Sequence, residues 1–173
     1  MKRQAGFTII ELVVVIALLG ILAAVALPRF IDVTDDAHRA AVQGSAGGLG
    51  AAVVLVKAQA VVDNVGAGNT AGIDGINVIV NGTRYPVGSS ATPITTATAA
   101  PALSAASCVA VWDSVLQGSA PTVATATTNK PDYLVTVGTG TTANTCTYTY
   151  QRDLPTVRTI AYNTANGEVT VSQ

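Results

Sequence analysis

The sequence predicts an α+β chain, with one long N-terminal helix followed by short antiparallel strands. Three observations predict it. Phe7 to Leu27 is almost wholly apolar, and apolar residues continue beyond it at three- and four-residue steps. From Ile76 onward, runs rich in Val, Ile, Thr and Tyr alternate with Asn-Gly pairs and Thr/Ala-rich stretches. Two cysteines, Cys108 and Cys146, lie in this second part.

The helix begins with the apolar run, whose only charge is Glu11. At about 1.5 Å per residue the run spans roughly 31 Å, near the hydrocarbon thickness of a bilayer. Lys2 and Arg3 stand in front of it, as the positive-inside rule expects of a start that stays cytoplasmic. Three readings compete. A secretory signal peptide would use Ala24-Val25-Ala26 as its cleavage site. A plain single-span anchor is the second, and a type IV prepilin cut between Gly6 and Phe7 is the third. Glu11 favours the third, because a carboxylate in an apolar span costs roughly 2.5–3.5 kcal/mol on insertion scales and needs a partner. Cutting after Gly6 creates an α-amino group on Phe7, and a neighbouring copy can offer that cation to Glu11. Such a pair sets register more than stability, since desolvation offsets most of the attraction.

Lys2 to Ile16, then Leu19-Gly20-Ile21-Leu22-Ala23 and Pro28, closely resembles the N-terminus of type IVa pilins. The short leader and the Pro28-Arg29-Phe30 continuation are most similar to the mannose-sensitive haemagglutinin group of major pilins. The resemblance covers about the first thirty residues. It implies cleavage between Gly6 and Phe7, N-methylation of Phe7 by the same prepilin peptidase, and assembly that depends on Glu11 and Phe7. Methylation keeps the positive charge, so the electrostatic argument stands. The chain then divides into a leader, 1–6, a transmembrane and filament-core helix, 7–30, and a globular head, 31–173.

Gly20 and Pro28 interrupt the helix, and Pro28 predicts a kink through its missing donor. Beyond it, Phe30, Val33, Ala37, Ala41, Leu49, Val53, Val56 and Ala60 form one apolar stripe. Asp32, Asp35, Asp36, His38 and Arg39 read as a solvated or intersubunit charge cluster; Asp35 and His38 alone are too few ligands to argue a metal. Gly44, Gly47, Gly48 and Gly50 are each about 1 kcal/mol worse than Ala in a helix, and close packing is the expected reason for them. Asp63-Asn64 and Gly66 to Gly68 end the helix.

Ile76–Val80 and Thr83–Val87 flank Asn81-Gly82, which predicts a hairpin with a type I′ turn. Asn81-Gly82-Thr83 is also a formal glycosylation sequon, but the turn accounts for it. Ser89 to Ala106 reads as a loop leading into a short helix, Ala105 to Leu116. Trp112 on that helix is assigned to the core rather than to a sugar platform. Gly118 to Lys130 is Thr/Ala-rich and reads as an exposed loop, a plausible carrier of O-linked glycans. Strands follow at Tyr133–Val137, Thr145–Gln151, Thr156–Asn163 and Glu168–Ser172, the last two joined by Thr164 to Gly167. Tyr148, Tyr150 and Tyr162 sit on them, as suits a half-buried pleated surface.

At 173 residues there is room for one domain beyond the membrane segment. The composition is 49% hydrophobic but 5% aromatic, so the apolar content is mainly small and aliphatic. Of 9 basic residues, loss of Lys2 and Arg3 leaves 7 against 10 acidic ones, a balance of −3 that lacks the basic footprint of nucleic-acid binding. In an exported protein Cys108 and Cys146 read as a disulfide, whereas in the cytosol they would more often be thiols. The bridge would close a loop of 146 − 108 = 38 residues, worth about 4 kcal/mol in the chain-entropy model. The resemblance supports it, since these pilins carry a disulfide-bounded loop, although here 27 residues follow Cys146.

No hydrolase, zincin or P-loop pattern is present, and His38 is the only histidine. An enzyme is not expected, and no cofactor is implied. The leading expectation is a structural subunit of an extracellular filament, held in the inner membrane of a Gram-negative bacterium before assembly. By resemblance its partners are further copies of itself, the inner-membrane assembly platform, prepilin peptidase, and a host or abiotic surface colonised as a biofilm. The alternatives are a minor pilin or type II secretion pseudopilin, or a membrane-tethered periplasmic binding domain that never polymerises.

Overall fold

The computed structural model describes residues 6–116, 118 and 120–173, without the side chains of 27–32. Two compact units, residues 1–38 and 39–173, divide the chain. One helix, α1 (Ile9–Val62), runs through both. In the first unit every side chain from Gly6 to Val25 is exposed. Gly20 lies inside continuous helix with no atom within 4 Å of where a Cβ would sit. The side chains of Pro28, Arg29, Phe30 and Asp32, and all of Met1 to Ala5, lie outside the described residues. The backbone of α1 continues as helix through Pro28, so neither Gly20 nor Pro28 interrupts it.

In the second unit the buried stripe of α1 is Val42, Ala46, Leu49, Val53, Val56 and Ala60. This corrects the expected stripe, because Val33, Ala37 and Ala41 are exposed and only the positions from Leu49 onward face the core. The three- and four-residue spacing of Ala and Val permits two phases in this Ala-rich helix, and packing selects one of them. Close packing of the helix glycines is likewise corrected. Leu116 lies 3.4 Å from the Cβ position of Gly48 and Val169 lies 3.9 Å from that of Gly50, but Gly44 and Gly47 face open space. The helix ends where expected. Asn64 adopts positive φ (50°), its amide bonds the Val61 carbonyl, and the Val65 amide bonds that of Ala60, a Schellman pattern.

A three-stranded antiparallel sheet follows: β1 (Thr70–Ile73), β2 (Ile76–Val80) and β3 (Pro86–Ser90), in that order. The two-residue turn with both residues at positive φ lies at Asp74 (48°) and Gly75 (80°), between the paired Ile73 and Ile76. It was expected at Asn81-Gly82, where Arg84 and not Asn81 or Gly82 has positive φ. There the chain makes a longer loop instead, because the Asn81 side chain accepts from the amides of Thr83 (3.0 Å) and Tyr85 (2.9 Å). The partner strand therefore starts at Pro86 and not at Thr83, and the register shifts between Ile79 and Val80.

The second helix, α2 (Ala105–Leu116), has the expected bounds and starts from Ser104, whose hydroxyl accepts from the Ser107 amide at 3.1 Å. A five-stranded sheet completes the fold, ordered β4 (Val123–Ala124), β5 (Tyr133–Val137), β6 (Thr145–Tyr150), β7 (Thr159–Asn163) and β8 (Val169–Ser172). Its ladders are antiparallel except β4 on β5, a short parallel pair inside the stretch expected to be loop. The strand expected from Thr156 begins at Thr159. Residues ahead of it turn so that buried Arg158 meets Asp153 in an ion pair.

The main core lies between α1, α2 and the larger sheet. Alternation along β6 buries Cys146, Tyr148 and Tyr150. Cys108 on α2 is bridged to Cys146 with Cα atoms 5.7 Å apart. Trp112 is fully buried, stacked at 5.2 Å from Tyr133 and 4.7 Å from Tyr148, with its Nε1 donating to the Pro121 carbonyl at 2.9 Å. These tilted contacts use the ring quadrupoles favourably, and the indole polar edge is satisfied. Trp112 is a core residue, as expected.

Candidate assembly site at the N-terminus

The residues predicted to matter most meet in the first unit. Thr8 precedes the first turn of α1, and Glu11 is in that turn. The Thr8 amide (2.9 Å) and hydroxyl (2.7 Å) both donate to Glu11 Oε2, while the Glu11 amide donates to Thr8 Oγ1 at 3.4 Å. This is a capping box, which satisfies amides that the helix itself leaves without acceptors. The Thr-x-x-Glu spacing encodes this cap, a local role for Glu11 beside the intersubunit one expected from its charge. Glu11 Oε1 accepts no hydrogen bond from the described residues, so the carboxylate retains acceptor capacity for a cation.

Around the cap, Phe7, Ile10, Glu11, Val14 and Val15 line a shallow apolar depression of about 400 Å³. Phe7 is 92% exposed. The stretch Ile9–Ala26 has a mean hydropathy of 3.0 and none of it is buried, so it is long and apolar enough to cross a membrane. Val33–Val62 also qualifies by length and composition, but part of it is buried as the core face of α1. The structure brings Phe7 and Glu11 to one depression. Gly20 is elsewhere on the helix, and Cys108 and Cys146 are in the second unit. Asp35, Asp36, His38 and Arg39 each have an interaction partner, and no group of three or more metal-ligating side chains occurs among the described residues.

Asn81 of the sequon is fully engaged. Its Oδ1 accepts from Thr83 and Tyr85, and its Nδ2 donates to the Thr164 carbonyl at 2.5 Å.

Residues 1–27 match the prokaryotic N-terminal methylation motif. Over 58 residues the chain is 47% identical to the type IV narrow pilus major component PilA5 of Thermus thermophilus, covering 34% of this chain and 50% of that protein. It is 59% identical over 34 residues to a fimbrial protein of Pseudomonas aeruginosa, covering 20% and 22% of the two chains. Fimbrial protein EcpC of Eikenella corrodens is 40% identical over 82 residues, covering 44% of this chain and 54% of its own. These alignments span about half the length of the relatives or less. No solved structure matches the chain. Motif, relatives and architecture agree: residues 1–27 carry the N-terminal methylation motif, and the long helix, antiparallel sheet and Cys108–Cys146 bridge behind it make a type IV pilin-like α+β fold.

Proposed function

We propose that the chain is a type IV pilin, a structural fimbrial subunit and not an enzyme. Its leader is removed between Gly6 and Phe7 and the new Phe7 amine is methylated by prepilin peptidase. The apolar helix holds the subunit in the membrane, and the assembly platform then packs it against further copies in an extracellular filament. Attachment to surfaces and biofilm growth are the roles that follow. The observation that carries this reading is the apolar run Ile9–Ala26, none of it buried, which holds Glu11 near its start with one carboxylate oxygen uncommitted among the described residues. An apolar surface of that size has to be covered, by lipid before assembly and by neighbouring helices afterwards. The uncommitted oxygen suits the amine of a neighbouring Phe7.

The cap favours a second reading, because it gives Glu11 a purpose in any anchored helix, including a tethered periplasmic domain that never polymerises. Two substitutions separate the readings. Gln serves at the third position of a capping box, so Glu11→Gln keeps the cap and loses the charge. Glu11→Ala loses both. We expect wild-type cells to yield sheared filaments beginning at N-methylated Phe7, and both variants to leave protein in the membrane with few or no filaments. Normal filaments from Glu11→Gln would end the charge-pairing account, and a wild-type chain that never leaves the membrane would favour the tethered domain.

A further inference from the structure

The second unit contains a cavity of about 420 Å³ beside the short 3-10 turn Thr127–Asn129, lined by Thr127, Lys130, Pro131, Gln151, Arg152 and Leu154. Pro131 and Leu154 form an apolar wall, and Leu154 is 59% exposed despite its size. Lys130 closes the turn in the left-handed region (φ 46°), and its ammonium has no side-chain partner among the described residues. The other cations described are occupied. Lys57 is bonded to Tyr85, Arg84 to Asn64 and the Val65 carbonyl, and Arg158 to Asp153, while Arg39 also has a partner.

Among the described residues Arg152 donates through Nε alone, to Asp132 Oδ1 at 2.7 Å. The other oxygen of Asp132 takes the amide and hydroxyl of Thr122, each at 2.8 Å. Asp132 Oδ2 is thus filled and Oδ1 holds the Arg152 Nε, so the carboxylate neutralises Arg152 without engaging its Nη donors. One net positive charge remains at the cavity, on Lys130, with unfilled donors on two cations. The Thr127 hydroxyl and Gln151 Oε1 are also without partners among the described residues.

We propose that this cavity binds one carboxylate-bearing sugar, a hexuronate. The Arg152 fork and the Lys130 ammonium hold the carboxylate in charge-assisted hydrogen bonds. Leu154 and Pro131 take the C–H face of the ring, and Thr127 and Gln151 take ring hydroxyls. The volume lies at the lower end of the roughly 300–1,000 Å³ typical of ligand pockets, which limits the occupant to a small molecule or one unit of a polymer. The proposal stands apart from the filament reading, since none of these residues belongs to the apolar helix.

The test is a titration of the full-length, disulfide-bonded protein in detergent with galacturonate, followed by ligand-observed NMR. Galactose, acetate and inorganic phosphate are the comparison probes. Galacturonate should saturate, with the three comparison probes at least about tenfold weaker, the scale of one lost charge-assisted contact. Lys130→Gln should weaken galacturonate about tenfold and Lys130→Arg should restore it. Both variants should melt like wild type, because Lys130 holds no other residue in place. Absence of galacturonate binding would overturn the proposal, as would equal binding of galactose, or of phosphate and acetate, or indifference to Lys130→Gln.

Discussion

Gly167 sits in the tight loop between β7 and β8 at φ 77°, with the Tyr85 ring lying where a Cβ would project. The Lys57 ammonium lies 4.0 Å from the centroid of the same ring. Gly167→Ala should therefore lose about 1–3 kcal/mol, the usual cost of a non-glycine residue forced to strained φ and more where it collides; urea unfolding of the full chain measures it. Asp132 gives a pH-dependent counterpart. Burial pushes its pKa up, but the hydrogen bonds from Thr122 and the Arg152 guanidinium outweigh that and hold it below the ordinary 3.8. A depressed folded-state pKa contributes stability that is complete above the unfolded value and fades as pH falls through the folded one. Asp132→Asn should thus flatten the loss of stability below pH about 3.8, read as a smaller shift in urea midpoint between neutral and acid solution. At this scale the core place of Trp112 was legible from residue type and neighbours. Thr8 was equally legible, since its capping partner is three residues away, but the oddity of a charge in an apolar run drew the whole explanation.

Elements were legible in proportion to how local their causes are. The bounds of α2 and the span of β5 follow from spacing and composition over a few residues, and both were found as expected. The first hairpin was not. Asn81-Gly82 and Asp74-Gly75 are both acceptable type I′ pairs, and the choice between them depends on which flanking strands find a buried face. Ile73↔Ile76 pairing with Ala71 and Val78 in the core selects Asp74-Gly75, and it adds β1, a strand the sequence reading lacked. The β4–β5 pair was missed because two residues carry no periodicity. The disulfide joins an element from each half of the core, α2 and β6, across 38 residues. Replacing Cys108 and Cys146 together by Ser should cost about 2–5 kcal/mol, measurable as a lower urea midpoint with an altered denatured-state slope.

Within the second unit the two sheets are held by contacts between segments far apart in sequence. Asn81 donates to the Thr164 carbonyl, Thr83 Oγ1 donates to that of Ala165 at 3.1 Å, and the Tyr162 hydroxyl reaches the Pro86 carbonyl at 2.8 Å. Asn81→Ala removes an acceptor for two amides and a donor to the neighbouring loop. It should cost about 1–3 kcal/mol, checked by urea unfolding, with faster hydrogen exchange at the Thr83 and Tyr85 amides. The sequence alone determined the apolar helix with its lone carboxylate, the end of α1 at Asn64, the second helix and most of the strands. Each of these rests on residue type and short-range spacing, where backbone geometry and hydrophobic periodicity act directly. The tertiary structure alone decided the phase of the α1 stripe, the turn that makes the first hairpin, and the meeting of Lys130 with Arg152 at one cavity. Those depend on which surfaces exclude water together, a property of contacts between distant segments that no local pattern encodes.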